Sequence, residues 1–207
     1  MSDQEYDSPE AREERYLKRQ KKKKEIVDAR IASATEERGV LLLLRGNGKG
    51  KSSSAFGMLA RALGHGQRCA VVQFIKGRGS TGEYKFFSEL PQVDFHVMGH
   101  GFSWETQDLD KDREAARQAW QLTLPMLQNP DYNLIVLDEL SYMIKYGHLD
   151  AAEVAEALAN RHRMVNVVVT GRVMADELLA VADTVSTIKD DGHAFRKGVK
   201  SQPGIDW

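Results

Sequence analysis

The sequence predicts an α/β domain built on a mainly parallel, doubly wound sheet of about six strands, with a helical extension at its N-terminus. Three observations carry that prediction. Short apolar runs recur from residue 40 onward, at Val40–Leu44, Cys69–Ile75, Leu134–Asp138 and Val165–Thr170. Stretches with helical spacing separate them. The runs are nearly unbroken, where a strand with one wet face would alternate apolar and polar residues, so they read as strands covered on both faces by crossover helices.

The elements follow in order. Residues 1–39 hold ten basic and ten acidic side chains. Tyr16, Leu17, Ile26, Val27, Ile31 and Ala34 form only a broken apolar stripe, too weak to drive folding alone. Lys21–Lys24 is a basic block, but Glu13, Glu14, Glu25 and Asp28 surround it, so a solvated helix face is the better reading than a nucleic-acid contact. With no repeat and no Pro- or Ser-rich linker, residues 40–207 are expected to form one domain, and residues 1–39 a long charged helix or a disordered segment. Val40–Leu44 leads into a glycine-rich turn and then a helix over about Ser52–Leu63, whose Ala55, Phe56, Met58, Leu59, Ala62 and Leu63 recur at three- and four-residue spacing and which Gly64 stops. Strands are expected at Cys69–Ile75 and Asp94–Met98. A helix is expected over Asp112–Gln128, with Pro125 kinking or ending it. Leu134–Asp138 is a buried strand, and Asp150 with Glu153 caps a helix reaching about Asn160. Val165–Thr170, a short helix at Asp176–Val181 and Thr184–Ile188 complete the series.

Composition narrows the function. With 29 Lys+Arg against 30 Asp+Glu, the net charge of −1 argues against a protein that coats nucleic acid. The longest apolar run is Val40–Leu44, far too short for a bilayer. Met1-Ser2-Asp3 opens a polar stretch, so no secretory signal is expected. Cys69 is the sole cysteine, which excludes an intrachain disulfide and a cysteine zinc cluster. A cytoplasmic protein is the expectation, with no membrane and no nucleic-acid partner.

The strongest chemical signal is Gly46-Asn47-Gly48-Lys49-Gly50-Lys51-Ser52-Ser53, between a strand and a helix. Glycines let the backbone curl and aim its N–H groups at phosphate oxygens. The helix N-terminus adds partial positive charge and Lys51 a full one. Ser52 offers a hydroxyl to a Mg²⁺ held by those phosphates. The loop reads G-x-x-x-G-K-S, one residue shorter than the usual phosphate loop, with Arg45 at the position of the expected first glycine.

The second signal is Asp138-Glu139 at the end of the strand Leu134–Asp138. Carboxylates there face the metal across the loop in phosphate-loop proteins and suit a hard cation. Which of the two would touch Mg²⁺ is open from sequence. The third is Gly99-His100-Gly101-Phe102-Ser103-Trp104, where aromatic residues flanked by glycines fit a ligand-binding loop and a satellite core cluster equally well. His65, His96 and His100 have no metal-ligand spacing, and Ser52–Ser54 lack the partners of a hydrolytic nucleophile.

Gly46–Ser53, followed by Arg61-Ala62-Leu63-Gly64-His65-Gly66, resembles the phosphate-loop ATP:corrinoid adenosyltransferases, also called cob(I)alamin adenosyltransferases. Val72-Gln73-Phe74-Ile75-Lys76-Gly77, Gly101-Phe102-Ser103-Trp104, Leu137-Asp138-Glu139-Leu140, Thr170-Gly171-Arg172, His193-Ala194-Phe195 and Gly204-Ile205-Asp206-Trp207 match the family in order along the chain. Ser52, Ser53 and Ser103 stand where the family commonly has threonines, and Arg45 replaces a small residue. The resemblance implies a phosphate-loop NTPase-like, RecA-like sheet. It also implies transfer of the 5′-deoxyadenosyl group of ATP to the Co(I) of a corrinoid, cobalamin or a precursor, with release of triphosphate.

On that resemblance the nucleotide lies in reverse sense on the loop, held by Gly46, Asn47, Gly48, Lys49, Gly50, Lys51, Ser52, Ser53 and Arg61. Mg²⁺ is held by Ser52 with Glu139 or Asp138. Co(I) is itself a strong nucleophile, so the enzyme has to align C5′ and stabilise the departing triphosphate, the task of Lys51. Phe102 and Trp104 are implied to press on the lower face of the corrinoid, displacing the axial ligand and easing reduction. The charged N-terminal helix is implied to act as a lid over that site. A homodimer and an electron donor such as a flavodoxin-like reductant come with the same resemblance. Two other readings remain: a kinase or ATPase cutting the γ-phosphate, or a non-catalytic ATP- or corrinoid-binding regulator.

Overall fold

The computed structural model describes residues 8–75, 81–98 and 109–206. The chain divides into two compact units, residues 1–37 and 38–207. The first holds α1 (Pro9–Ser33), started by Ser8, whose hydroxyl accepts from Ala11 N–H at 3.3 Å, and by Pro9 in the first turn. None of its residues is buried; Tyr16, Leu17 and Ile31 all stand exposed.

The second unit follows the expected alternation. Its elements are β1 (Leu41–Arg45), α2 (Lys51–Gly64), β2 (Cys69–Gln73), α3 (Gly82–Phe87), β3 (Val93–Val97), α4 (Leu109–Gln128), β4 (Leu134–Asp138) and α5 (Leu140–Lys145). Then come α6 (Ala151–Ala159), β5 (Asn166–Thr170), α7 (Asp176–Val181), β6 (Thr184–Thr187) and a single 3₁₀ turn at Ala194–Lys197. Six strands form one sheet in the order β3-β2-β4-β5-β1-β6, and every pairing is parallel. Parallel neighbours need crossovers, and the helices supply them on both faces.

The four central strands β1, β2, β4 and β5 divide their side chains between two cores. Leu41, Leu43, Ala70, Val72, Ile135, Leu137, Val167 and Val169 face α4, α5, α6 and α7, with the fully buried Trp120 among them. Leu44, Cys69, Val71, Leu134, Val136 and Val168 face α2 and α3, meeting Ala55, Phe56, Leu59, Ala62 and Phe87. The side-chain period of two, with apolar residues at both phases, is why the strands read as unbroken apolar runs. The cap on α6 forms as expected, with Asp150 accepting from Glu153 N–H at 2.9 Å.

One local expectation is narrowed and one needs correction. Of the two outcomes expected at Pro125, ending the helix does not occur, since α4 runs on to Gln128. Pro125 and Gln121, whose carbonyl the missing N–H would have served, are both exposed residues, so the loss falls on the solvent side of the helix. Cys69–Ile75 is strand only to Gln73. The last ladder bond on that side runs from Phe74 N–H to the Asp138 carbonyl at 3.0 Å. The short helices α3 and α5 were not apparent in the pattern; each spans six residues, too few for a period to show. Among the described residues no helix is long and apolar enough to cross a membrane.

A charged knot fixes the entry to the sheet. Asp183 accepts from Leu41 N–H at 2.7 Å and pairs with Arg38 at 2.6 Å, with Arg161 3.5 Å away. These donors, the Arg38 contact foremost, pull the Asp183 carboxyl down to about 2.

Candidate active site

The site lies at the carboxyl end of the sheet, where β1, β4 and β5 deliver their loops, as parallel α/β sheets arrange their sites. The turn from β1 to α2 is shaped by its neighbours through the main chain. Gly46 N–H donates to the Arg172 carbonyl at 3.0 Å, and Gly48 N–H to the Ile188 carbonyl at 2.9 Å. A Cβ on Gly48 would lie 2.2 Å from the Lys189 oxygen, so only glycine lets the two backbones pass this closely. Gly50, at φ 114°, supplies the left-handed step into α2. Lys51 opens that helix and is 8% exposed; its Nζ folds back on the Gly48 carbonyl at 2.8 Å. Burial lowers the Lys51 pKa, with Glu139 acting in the opposite direction.

β5 separates the loop strand β1 from β4, and its last residue organises the acidic pair. Thr170 is fully buried; its hydroxyl donates to Asp138 Oδ1 at 2.7 Å and accepts from Glu139 N–H at 2.9 Å. Gln73 Nε2 donates to the other Asp138 oxygen at 3.1 Å. Asp138 is thereby spent on neutral buried donors. Glu139 is different in every respect. Its φ of 60° is left-handed, the one such value among the described non-glycine residues, a strain of about 1–3 kcal/mol. Its Oε2 is buried, and among the described residues nothing hydrogen-bonds it. Burial, and then the Asp138 charge, push its carboxyl up to about 7 against the pull of Lys51 and Arg172.

These groups converge on a polar cavity of about 360 Å³, lined by Asn47 through Ser53 and by Glu83, Glu139, Arg172, His193, Ile205 and Asp206. Seven of the expected loop residues, Asn47 to Ser53, therefore face one space together with Glu139. Gly46 does not line it but braces the loop. Asp138 does not line it either, being enclosed behind Glu139. Arg61 departs from expectation. It sits ten residues into α2, about 15 Å along the helix, and lines a separate apolar groove with Val40, Leu42 and His65 at the amino end of the sheet. Phe102 and Trp104 lie outside the described residues.

Arg172, His193 and Asp206 were missed as site residues by sequence reasoning. Arg172 stands two residues past the end of a buried strand, close to where Glu139 follows its own, and that position was its available signal. His193 and Asp206 come from the chain beyond β6, whose path back to the loop no local pattern reveals.

Fold, loop and acidic strand end together define a phosphate-loop nucleotide-binding protein. The sequence profile of the ATP:corrinoid adenosyltransferase BtuR/CobO/CobP family matches residues 37–207, and the chain belongs to that family. It is 50% identical over 202 residues to a corrinoid adenosyltransferase of Pseudomonas aeruginosa, covering 97% of this chain and 99% of that one. It is 48% identical over 195 residues to the corrinoid adenosyltransferase CobA of Salmonella typhimurium, covering 94% and 99%. An Escherichia coli corrinoid adenosyltransferase is 46% identical over the same length and shares. Among solved structures, a KaiC-like protein of Pyrococcus horikoshii superimposes with a TM-score of 0.44 at 12% identity over 73% of each chain. The family's reaction is transfer of the adenosyl group of ATP to a reduced corrinoid.

Proposed function

We propose that the cavity at the carboxyl end of the sheet holds the triphosphate of ATP while the 5′-deoxyadenosyl group passes to the cobalt of the corrinoid. The observation that carries this reading is the convergence of Lys49, Lys51 and Arg172 with the loop amides on one polar cavity. In the transfer, Co(I) supplies the electron pair for the new Co–C5′ bond, and the C5′–O bond breaks with its electrons going to triphosphate. Charge therefore grows on the departing phosphates, and fixed cations there lower the barrier more than they favour the bound ground state. Lys51 is held at the loop by the Gly48 carbonyl, so little side-chain freedom is lost when phosphate takes its place.

The donor set also fits Mg²⁺. Glu139 brings a buried carboxylate oxygen with no partner, and Ser52 a hydroxyl across the cavity, both hard oxygen ligands. Asp138 is assigned to bracing the Glu139 backbone, through Thr170, rather than to the metal. When bound, the metal would offset triphosphate charge. Phe102 and Trp104 are assigned the lower face of the corrinoid, and α1 the role of lid, on the resemblance. A homodimer, a cytoplasmic location and a flavodoxin-like electron donor belong to the same proposal.

The test is product identity. MgATP, a reductant and cob(II)alamin are expected to give adenosylcobalamin and triphosphate in equal amounts. ADP as the sole nucleotide product would overturn the reading in favour of γ-phosphate transfer. Saturable binding without turnover, even on chemically generated Co(I), would favour a regulator.

A further inference from the structure

The phosphate cavity has a wall contributed by the end of the chain. Beyond β6, Asp190 clamps Arg196 through both carboxylate oxygens, at 2.6 and 2.7 Å. The chain then passes His193 and returns to the loop at Ile205 and Asp206. These residues and Lys49 line both the phosphate cavity and a second, largely apolar chamber of about 180 Å³ behind it, which Phe195 and Val199 help to form. An ion pair joins this wall to the loop. Lys49 Nζ lies 2.6 Å from Asp206 Oδ1, while Oδ2 accepts from Gln202 N–H at 2.8 Å.

Lys49 thus has two claimants. It stands on the lip of the cavity, half-exposed, with its ammonium paired to the Asp206 carboxylate. A triphosphate in the cavity carries more charge than Asp206 and must draw Lys49 away to use it. A triphosphate leaving the cavity gives Lys49 back. The backbone N–H of Gln202 holds the Asp206 carboxylate in place through that exchange, so the partner that recovers Lys49 is preformed. An exposed pair of this kind is weak enough to be exchanged, being worth a factor of about 1.4 to 5 in an equilibrium constant. It also weakens with salt.

Resting on the reading that this cavity holds the triphosphate, we propose that Asp206 is a positioning residue that competes with the triphosphate for Lys49 and so promotes product release. The step is an exchange of ion-pair partners with no bond made or broken.

The probe is inorganic triphosphate with Mg²⁺, titrated calorimetrically into the full chain. Asp206→Asn is expected to bind it about two- to fivefold more tightly than the parent, and the gain is expected to shrink as salt rises. Product inhibition by triphosphate should deepen by the same factor, and Asp206→Glu should restore parental affinity. A residue that merely anchored the chain end would give weaker or unchanged binding on Asp206→Asn, and either result overturns the proposal. In a Lys49→Met background Asp206→Asn is expected to lose this salt-dependent gain; full retention would overturn it as well. Lys51→Ala separates the two levels. If it leaves triphosphate binding intact, the cavity reading itself fails; if it abolishes binding while Asp206→Asn does not tighten it, only the role of Asp206 fails.

Discussion

Glu139→Gln isolates the cost of keeping an unpaired carboxylate ready. The Glu139 carboxyl is raised from the ordinary 4.5 to about 7, chiefly by burial. The fold therefore favours its protonated form. That contribution to stability is complete below pH 4.5 and is lost as pH rises through 7. A shift of about 2.5 units corresponds to about 3 kcal/mol. Gln stays neutral at every pH but introduces an amide that also wants partners, a cost of about 1 kcal/mol. The variant should accordingly be slightly less stable than the parent at pH 4.5 and about 2 kcal/mol more stable at pH 8. For a chain of this size that is a rise in melting temperature of about 4–8 °C at pH 8. The assay is a thermal melt across pH 4.5–8 at fixed ionic strength, without magnesium or nucleotide. A difference between parent and variant that stays flat across this range refutes the reasoning. With MgATP at pH 8 the order should reverse, because the parent then gains a ligand interaction that the variant lacks. For the same reason the apparent affinity for Mg²⁺ in the parent should climb as pH rises through 7.

Other outcomes are expected from the same geometry. Lys51→Ala should reduce transfer from pre-reduced Co(I) by about 10²- to 10³-fold, measured by single-turnover formation of the Co–C bond. Arg172→Ala should lower the same rate about ten- to a hundredfold, the worth of one charge-assisted contact. Trp104→Ala should spare transfer from Co(I) and impair it from Co(II); equal losses in the two assays would exclude a role in displacing the axial ligand. Asp183→Asn should lower stability at pH 6 by about 1 kcal/mol after solvent screening. Its sign is opposite to that of Glu139: the Asp183 contribution is present above pH 3.8 and is lost as pH falls through about 2.

Much of the fold was legible because its four inner strands are buried on both faces. Leu134–Asp138 and Asp176–Val181 coincide with their expected bounds, since turn residues flank them. The phosphate loop was legible because its glycines serve geometry that no other residue can adopt, as at Gly50. What stayed hidden depends on contacts distant in sequence. Nothing in Asp138-Glu139 tells which carboxylate is enclosed; Thr170 and Gln73, brought from two other strands, make that choice. Arg61 was joined to the loop's machinery by the resemblance, and the length of α2 carries it to a groove at the far end of the sheet. The approach of Asp206 to Lys49 spans 157 positions and has no local signature.

The bracing of the loop has a consequence for what kinds of change the protein tolerates. Gly46 and Gly48 are held by the carbonyls of Arg172 and Ile188, groups that every residue carries. Replacing the side chain at 188 or 189 leaves those carbonyls in place, so these positions are free to drift in identity while the loop keeps its curve. Inserting or deleting one residue between Thr187 and Asp190 would instead move the carbonyl out of reach and present a different peptide to Gly48. The shape of the nucleotide site is thus encoded partly in a count of residues along a distant segment, and indels there should be as damaging as substitutions in the loop.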